Sequence, residues 1–167
     1  MPVAHRSGPA TLVIRFMNRS SKARAISARI SRPHAAILRA SRGRIRRSRL
    51  FALGQRVMVI TTTGRKSGKS RSTVVAYFKD GEDFIISAGN LGSGRDPAWV
   101  LNLQADPKAT ILVDGESRQV YAHRAEGDQR ERLWARWEEL QPPAKTVAAI
   151  AGREIPVFIL TPIDRSA

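Results

Sequence analysis

No cysteine occurs in the 167 residues. That absence excludes disulfides, thiolate metal sites and thiol nucleophiles, and it fits a reducing compartment. Long apolar runs are missing too. The first apolar patch, Ala10-Thr11-Leu12-Val13-Ile14, is closed at once by Arg15. It is far below the roughly 20 residues of a membrane-spanning helix, and no A-x-A-like cleavage site follows it directly. Cytoplasmic residence is the expectation. Acidic residues are absent from the first 79 positions, which hold 19 of the 29 Lys and Arg, while all 14 Asp and Glu lie at or beyond Asp80. The net charge of +15 is therefore an N-terminal property, and it points to an anionic partner. Histidines are few and scattered (His5, His34, His123) and none has metal-ligand spacing. No G-x-S-x-G is present, so a serine-hydrolase reading has no support. With no acid–base pair, nucleophile or metal site to assign, catalysis would belong to a bound cofactor.

What is present falls into two parts. Residues 1–50 form a basic arm, and 51–167 one domain, large enough for a core at 42% hydrophobic composition. In the arm, Leu12, Val13, Phe16 and Met17 recur at helical spacing, Ile26 and Ile30 lie four apart, and Pro33 opens a short helix to Arg39. Residues 10–50 thus read as basic amphipathic helices, which either dock on the domain or meet an anionic membrane surface at its inner face. In the domain, strands are expected over 56–63, 71–79, 83–88, 108–113, 117–124 and 155–161. Asp80-Gly81 and Asp114-Gly115 mark hairpins, because primed turns need φ > 0. One helix is expected from an Asp96 N-cap with Pro97 at its first position, ending before Asp106. Another spans about Asp128 to Leu140, with Leu133, Trp137 and Leu140 on one face. Short antiparallel strands with inserted helices imply an α+β, barrel-like domain.

Two segments carry the chemistry. Thr61-Thr62-Thr63-Gly64-Arg65-Lys66-Ser67-Gly68-Lys69-Ser70-Arg71 lies between strand-like runs. Its glycines would let N–H groups turn inward, and its cations add charge-assisted hydrogen bonds, which suits a phosphate or another polyanion. A solvated basic hairpin is the plain alternative. A Walker A loop is excluded, because Gly64 and Gly68 enclose three residues instead of four and a strand follows. The second segment is Ser87-Ala88-Gly89-Asn90-Leu91-Gly92-Ser93-Gly94-Arg95-Asp96-Pro97, a glycine-rich loop expected to be flexible and to end at a helix N-terminus that favours anions. Beyond it, Trp99 and Asn102 share a helix face; taken alone, Trp99 reads first as a core anchor.

The order of these pieces resembles the deazaflavin-dependent nitroreductase family, split β-barrel oxidoreductases that use coenzyme F-420. The matching segments are Thr62 to Arg71, Asp96 to Leu103, Asp106 to Val113 and Arg153 to Leu160. The resemblance implies a split β-barrel, mostly antiparallel, of the flavin-reductase type. It implies that Arg65, Lys66, Ser67, Gly68 and Arg71 hold the coenzyme's phosphate and acidic tail. Ser87, Ala88, Gly89 and Asn90 would lie against the deazaflavin ring, and Pro97, Trp99 and Asn102 would frame the same groove. Hydride would pass to a hydrophobic, electron-poor acceptor such as a quinone or nitro compound. Family members often carry tyrosines before the last strand, but Leu140 to Ala149 has none, so no proton-donating side chain is assigned. Tyr77 and Tyr121 are expected to be packing residues. FMN is the alternative cofactor, and a coenzyme carrier without turnover the alternative role. A nucleic-acid-binding protein is the reading from another class; against it, only Phe16 in the arm and Phe51 just after it are present for base stacking. A homodimer is expected through an exposed barrel edge.

Overall fold

The structure is a computed structural model and describes residues 55–163. The expected helices of the arm and the boundary near residue 50 lie outside the described residues. Six strands form the barrel: β1 (Val57–Thr63), β2 (Ser70–Asp80), β3 (Asp83–Ser87), β4 (Lys108–Val113), β5 (Glu116–Arg124) and β6 (Val157–Pro162). Helix α1 (Ala98–Ala105) follows β3, and α2 (Gly127–Leu140) and α3 (Ala144–Ala151) separate β5 from β6. Every strand pairing is antiparallel, and the order β1-β2-β3-β6-β5-β4 closes through β1 and β4. Closure corrects one expectation. Each described strand is paired on both sides, so no exposed edge is left to template a dimer.

The alternation of each strand decides what faces inward. Met58 and Ile60 of β1, Val75 and Tyr77 of β2, Phe84 and Ile86 of β3, Ile111 and Val113 of β4, Val120 and Ala122 of β5, and Phe158 and Leu160 of β6 share one core. Trp99, Val100 and Leu103 of α1 join it. Tyr77 meets Phe84 at 5.5 Å between ring centroids, and Trp99 meets Phe158 edge-on at 5.7 Å. Tyr77 is thus the packing residue expected of it, whereas Tyr121 faces outward on β5 and is 49% exposed. β3 reads as Asp-Phe-Ile-Ile-Ser without alternation because both its faces are covered. Phe84 and Ile86 enter the barrel, while Ile85 packs outside with Leu133 of α2, Ala125, Val157 and Ile159.

The hairpins follow their turn residues. Asp114 and Gly115 both adopt positive φ (51° and 91°) between Val113 and Glu116, the pattern of a type I′ turn. The β2–β3 turn is Gly81-Glu82, with Gly81 at φ 60° and Asp80 paired to Asp83. Helix α3 is an element the sequence reading did not include. It starts after Pro143 and stops at Gly152, whose φ of 61° is the left-handed cap that glycine adopts without a Cβ penalty.

Candidate functional site

The β1–β2 connection, Gly64 to Lys69, is a tight loop with its ends clamped together. Gly64 donates its N–H to the Lys69 carbonyl at 2.9 Å, and Ser67 and Gly68 donate theirs to the Gly64 carbonyl at 3.0 and 2.7 Å. Lys69 N–H points to Ser67 Oγ at 3.4 Å. The Arg65 N–H goes to Asn102 Oδ1 at 3.1 Å. These donors are consumed internally, which corrects the expectation of an inward-turned backbone cradle. What the loop offers outward is its side chains. Residues 65–71 are all exposed, and among the described residues Arg65, Lys66, Lys69 and Arg71 have no carboxylate partner. Gly64 is the glycine that the fold requires here. A Cβ on it would meet the Lys69 carbonyl and Ser67 Oγ at 3.0 Å each. Gly68, at φ 64°, has open space around it and serves the turn by conformation alone.

Asn102 is the link between this loop and helix α1. Its Nδ2 donates to Thr62 Oγ1 at 2.9 Å, and Thr62 Oγ1 in turn lies 3.5 Å from the Arg71 carbonyl. Thr62 and Asn102 are the two buried polar residues among those described, at 2% and 5% exposure. Both ends of the Asn102 amide are therefore spent on the protein. The residue is a latch between helix α1, the end of β1 and the cation loop. Trp99 is likewise buried, in the core with Phe158.

Helix α1 begins where the second loop ends, so one short helix joins the two segments. The expected cap is not formed. Pro97 occupies the N-cap with extended backbone and no side chain caps the helix. Asp96 turns away instead, to Arg153, with Nη1 and Oδ1 2.8 Å apart. Ser87 closes β3 opposite Val157, and the Ala88 N–H bonds the Pro156 carbonyl at 3.0 Å. Ala88 is buried, Gly89 half-buried and Asn90 exposed, with Asn90 Nδ2 donating to the Arg95 carbonyl at 3.0 Å. A 3₁₀ turn spans Asn90–Gly92. The glycines of this loop are packed against the protein. A Cβ on Gly89 would lie 3.0 Å from Val147 Cγ1, and one on Gly92 would lie 2.8 Å from Ile150 Cγ2. These glycines admit the protein's own helix α3. Sequence reasoning does not assign Arg153, just past that helix, or Lys69 to the site. Only tertiary structure shows what surrounds Arg153.

The family model described as F420H(2)-dependent quinone reductase matches residues 30–162. An F420H(2)-dependent quinone reductase of Mycobacterium tuberculosis H37Rv is 31% identical over 147 residues, which is 83% of this chain and 93% of that one. A second protein of that strain, described as a putative F420H(2)-dependent quinone reductase, is 32% identical over 105 residues, 63% of this chain and 88% of that one. Among solved structures, an F420-H2 dependent reductase superposes with a TM-score of 0.58 at 30% identity, covering 62% of this chain and 92% of its own. The donor set described above is consistent with the coenzyme those names share. An exposed loop with four cations and no carboxylate partners among the described residues suits a phosphate and an acidic tail. The chain belongs to the F420H(2)-dependent quinone reductase family, oxidoreductases that use coenzyme F-420 on a split β-barrel.

Proposed function

We propose that this protein reduces a lipophilic quinone with hydride from reduced coenzyme F-420. The observation that carries the reading is that helix α1 follows the glycine-rich loop and, through Asn102, holds the exposed cation loop. The bound coenzyme supplies the hydride; the chain supplies binding, orientation and exclusion of water. Arg65, Lys66 and Arg71, with Ser67 and the turn at Gly68, hold the phosphate and acidic tail, and Lys69 adds charge to the same loop. Ser87, Ala88, Gly89 and Asn90 border the ring, with Pro97 at the mouth of the groove, while Asn102 and Trp99 hold α1 in place beneath it. The test is a fluorescence titration with coenzyme F-420 and, in parallel, FMN, followed by oxidation of the reduced coenzyme by a naphthoquinone. Saturable deazaflavin binding and quinone-dependent turnover are expected. No deazaflavin binding, or preference for FMN, would overturn the assignment.

The same reading gives residues 51–167 the coenzyme and residues 1–50 an accessory role. No helix among the described residues is long and apolar enough to cross a membrane. The basic stretch 10–50 would meet an anionic membrane surface from the cytoplasmic side, where lipophilic quinones are at hand. Full-length protein should co-sediment with anionic vesicles and a form lacking residues 1–50 should not; equal binding by both would remove this role. A homodimer is supported by a solved structure described as a domain-swapped dimer, 30% identical with a TM-score of 0.57, covering 62% of this chain and 78% of its own. Light scattering of the full chain tests it, and a monomeric mass would exclude it.

A further inference from the structure

The guanidinium of Arg153 has five N–H donors, and the fold surrounds it with acceptors. Nε donates to the Ser93 carbonyl at 3.1 Å. Nη2 donates to the Ala88 carbonyl at 2.9 Å and to the Arg95 carbonyl at 3.3 Å. Nη1 donates to the Glu154 carbonyl at 3.1 Å and lies 2.8 Å from Asp96 Oδ1 in an ion pair bent away from hydrogen-bond geometry. That carboxylate oxygen is buried with no hydrogen-bond donor of its own, so the charge of Arg153 is what offsets its burial. The Arg153 side chain is only 17% exposed.

The acceptors are not a random set. Ala88 is the first residue past β3, Ser93 and Arg95 lie beyond the 3₁₀ turn, and Asp96 leads into α1. One side chain therefore fastens both limbs of the loop, and it does so from the C-terminal end of α3, whose Val147 and Ile150 press against Gly89 and Gly92. From this geometry we infer that Arg153 is a positioning residue for the coenzyme slot. It sets the height and orientation of the backbone at Ala88, Gly89 and Asn90, and it does not itself touch the coenzyme. A lysine cannot do this. Its ammonium is a single point of charge that can reach Asp96 or the carbonyls, but cannot span the carbonyls of Ala88, Ser93 and Arg95 from one plane.

The inference rests on the proposed coenzyme site, and the experiment separates the two. Arg153→Lys and Asp96→Asn are compared with wild type in the full-length protein by three readings. These are amide hydrogen exchange without coenzyme, fluorescence titration with coenzyme F-420, and thermal unfolding. For Arg153→Lys, faster exchange should be confined to residues 88–96, and the coenzyme dissociation constant should rise by about tenfold or more, as expected when a bordering group shifts by a fraction of an ångström. The midpoint of unfolding should stay close to that of wild type, and the KM for the quinone should be unchanged. Asp96→Asn keeps the carbonyl contacts and should show a smaller change in the same direction. Unchanged exchange in 88–96, or an unchanged dissociation constant despite faster exchange there, would overturn the inference. So would exchange accelerated evenly across the barrel, the mark of a purely structural role. If wild type failed to bind the coenzyme, the proposed function would fall, and the inference, as a statement about that slot, would fall with it; localised exchange would then show only that Arg153 braces the loop.

Discussion

Asn102 Oδ1 accepts the backbone N–H of Arg65 at 3.1 Å, so the buried face of α1 fixes the residue that opens the cation loop. A polar side chain at 5% exposure is tolerated there because its amide also donates to Thr62 Oγ1. Asn102→Ala would take one partner from the Arg65 N–H and one from the buried Thr62 hydroxyl. The expected loss is about 1–3 kcal/mol of stability, the usual cost of leaving a buried polar group unpaired, together with weaker coenzyme binding. Asn102→Asp keeps the acceptor for Arg65 but places a negative charge beneath the anion seat. It should bind coenzyme more weakly than the alanine variant at neutral pH. Denaturant unfolding and fluorescence titration check both. An Asp variant that binds as well as wild type would show that the loop does not seat an anion.

Gly92 offers a second test, because two independent constraints act on it. Its φ is 78°, and a Cβ would lie 2.8 Å from Ile150 Cγ2. Gly92→Ala should therefore destabilise through backbone strain and through overpacking, by about 1–3 kcal/mol from the packing part alone. Adding Ile150→Ala removes the Cγ2 contact but keeps the Cβ at 3.1 Å, so it relieves part of the steric cost and leaves the strain. The double variant should fall between wild type and Gly92→Ala once the cost of Ile150→Ala itself is subtracted. Thermal unfolding of the three variants gives the cycle. Strict additivity would mean that the two residues do not press on each other.

On the outer surface, Arg132 Nη2 lies 2.7 Å from Asp80 Oδ2 and joins α2 to the β2–β3 turn. The Arg132 hydrogen bond, opposed by partial burial and aided by its charge, holds the Asp80 carboxyl below the ordinary carboxylate range. A depressed folded-state value stabilises at pH above the unfolded value, and the contribution is lost as pH falls through the folded value. Both side chains are substantially exposed, so the effect is small and screened by salt. Asp80→Asn should thus leave stability at neutral pH little changed and flatten the acid limb of the stability profile. An unchanged acid limb would contradict the assignment.

The strands were legible because alternation and turn chemistry agree. Residues 108–113 were read with the bounds observed, and Asp114-Gly115 adopts the turn expected of it. Elsewhere local signals lost to tertiary ones. Asp96 reads as an N-cap, yet its carboxylate is taken by Arg153, a partner 57 positions away in the chain. Helix α3 was hidden because Pro142-Pro143 reads as a stop for α2, and the same prolines also introduce the next helix. The glycine-rich loop suggests ligand approach, whereas Gly89 and Gly92 first admit Val147 and Ile150. The cation loop was visible as charge. That the N–H groups of Gly64, Ser67 and Gly68 are spent on the loop's own carbonyls, and that of Arg65 on Asn102, depends on the turn it adopts and on a residue 37 positions on, and neither can be read from composition.

The central claim is that the side chains of the β1–β2 loop seat the anionic part of coenzyme F-420. Its most direct test is the coenzyme dissociation constant of Arg65→Ala and Lys66→Ala against wild type, with the hydride-transfer rate measured at saturating coenzyme. Removing one charge-assisted contact, commonly worth about 1.5–3 kcal/mol, should weaken binding by roughly tenfold or more and leave the saturated rate nearly unchanged. Unchanged affinity in both variants would show that the coenzyme lies elsewhere and would contradict the account.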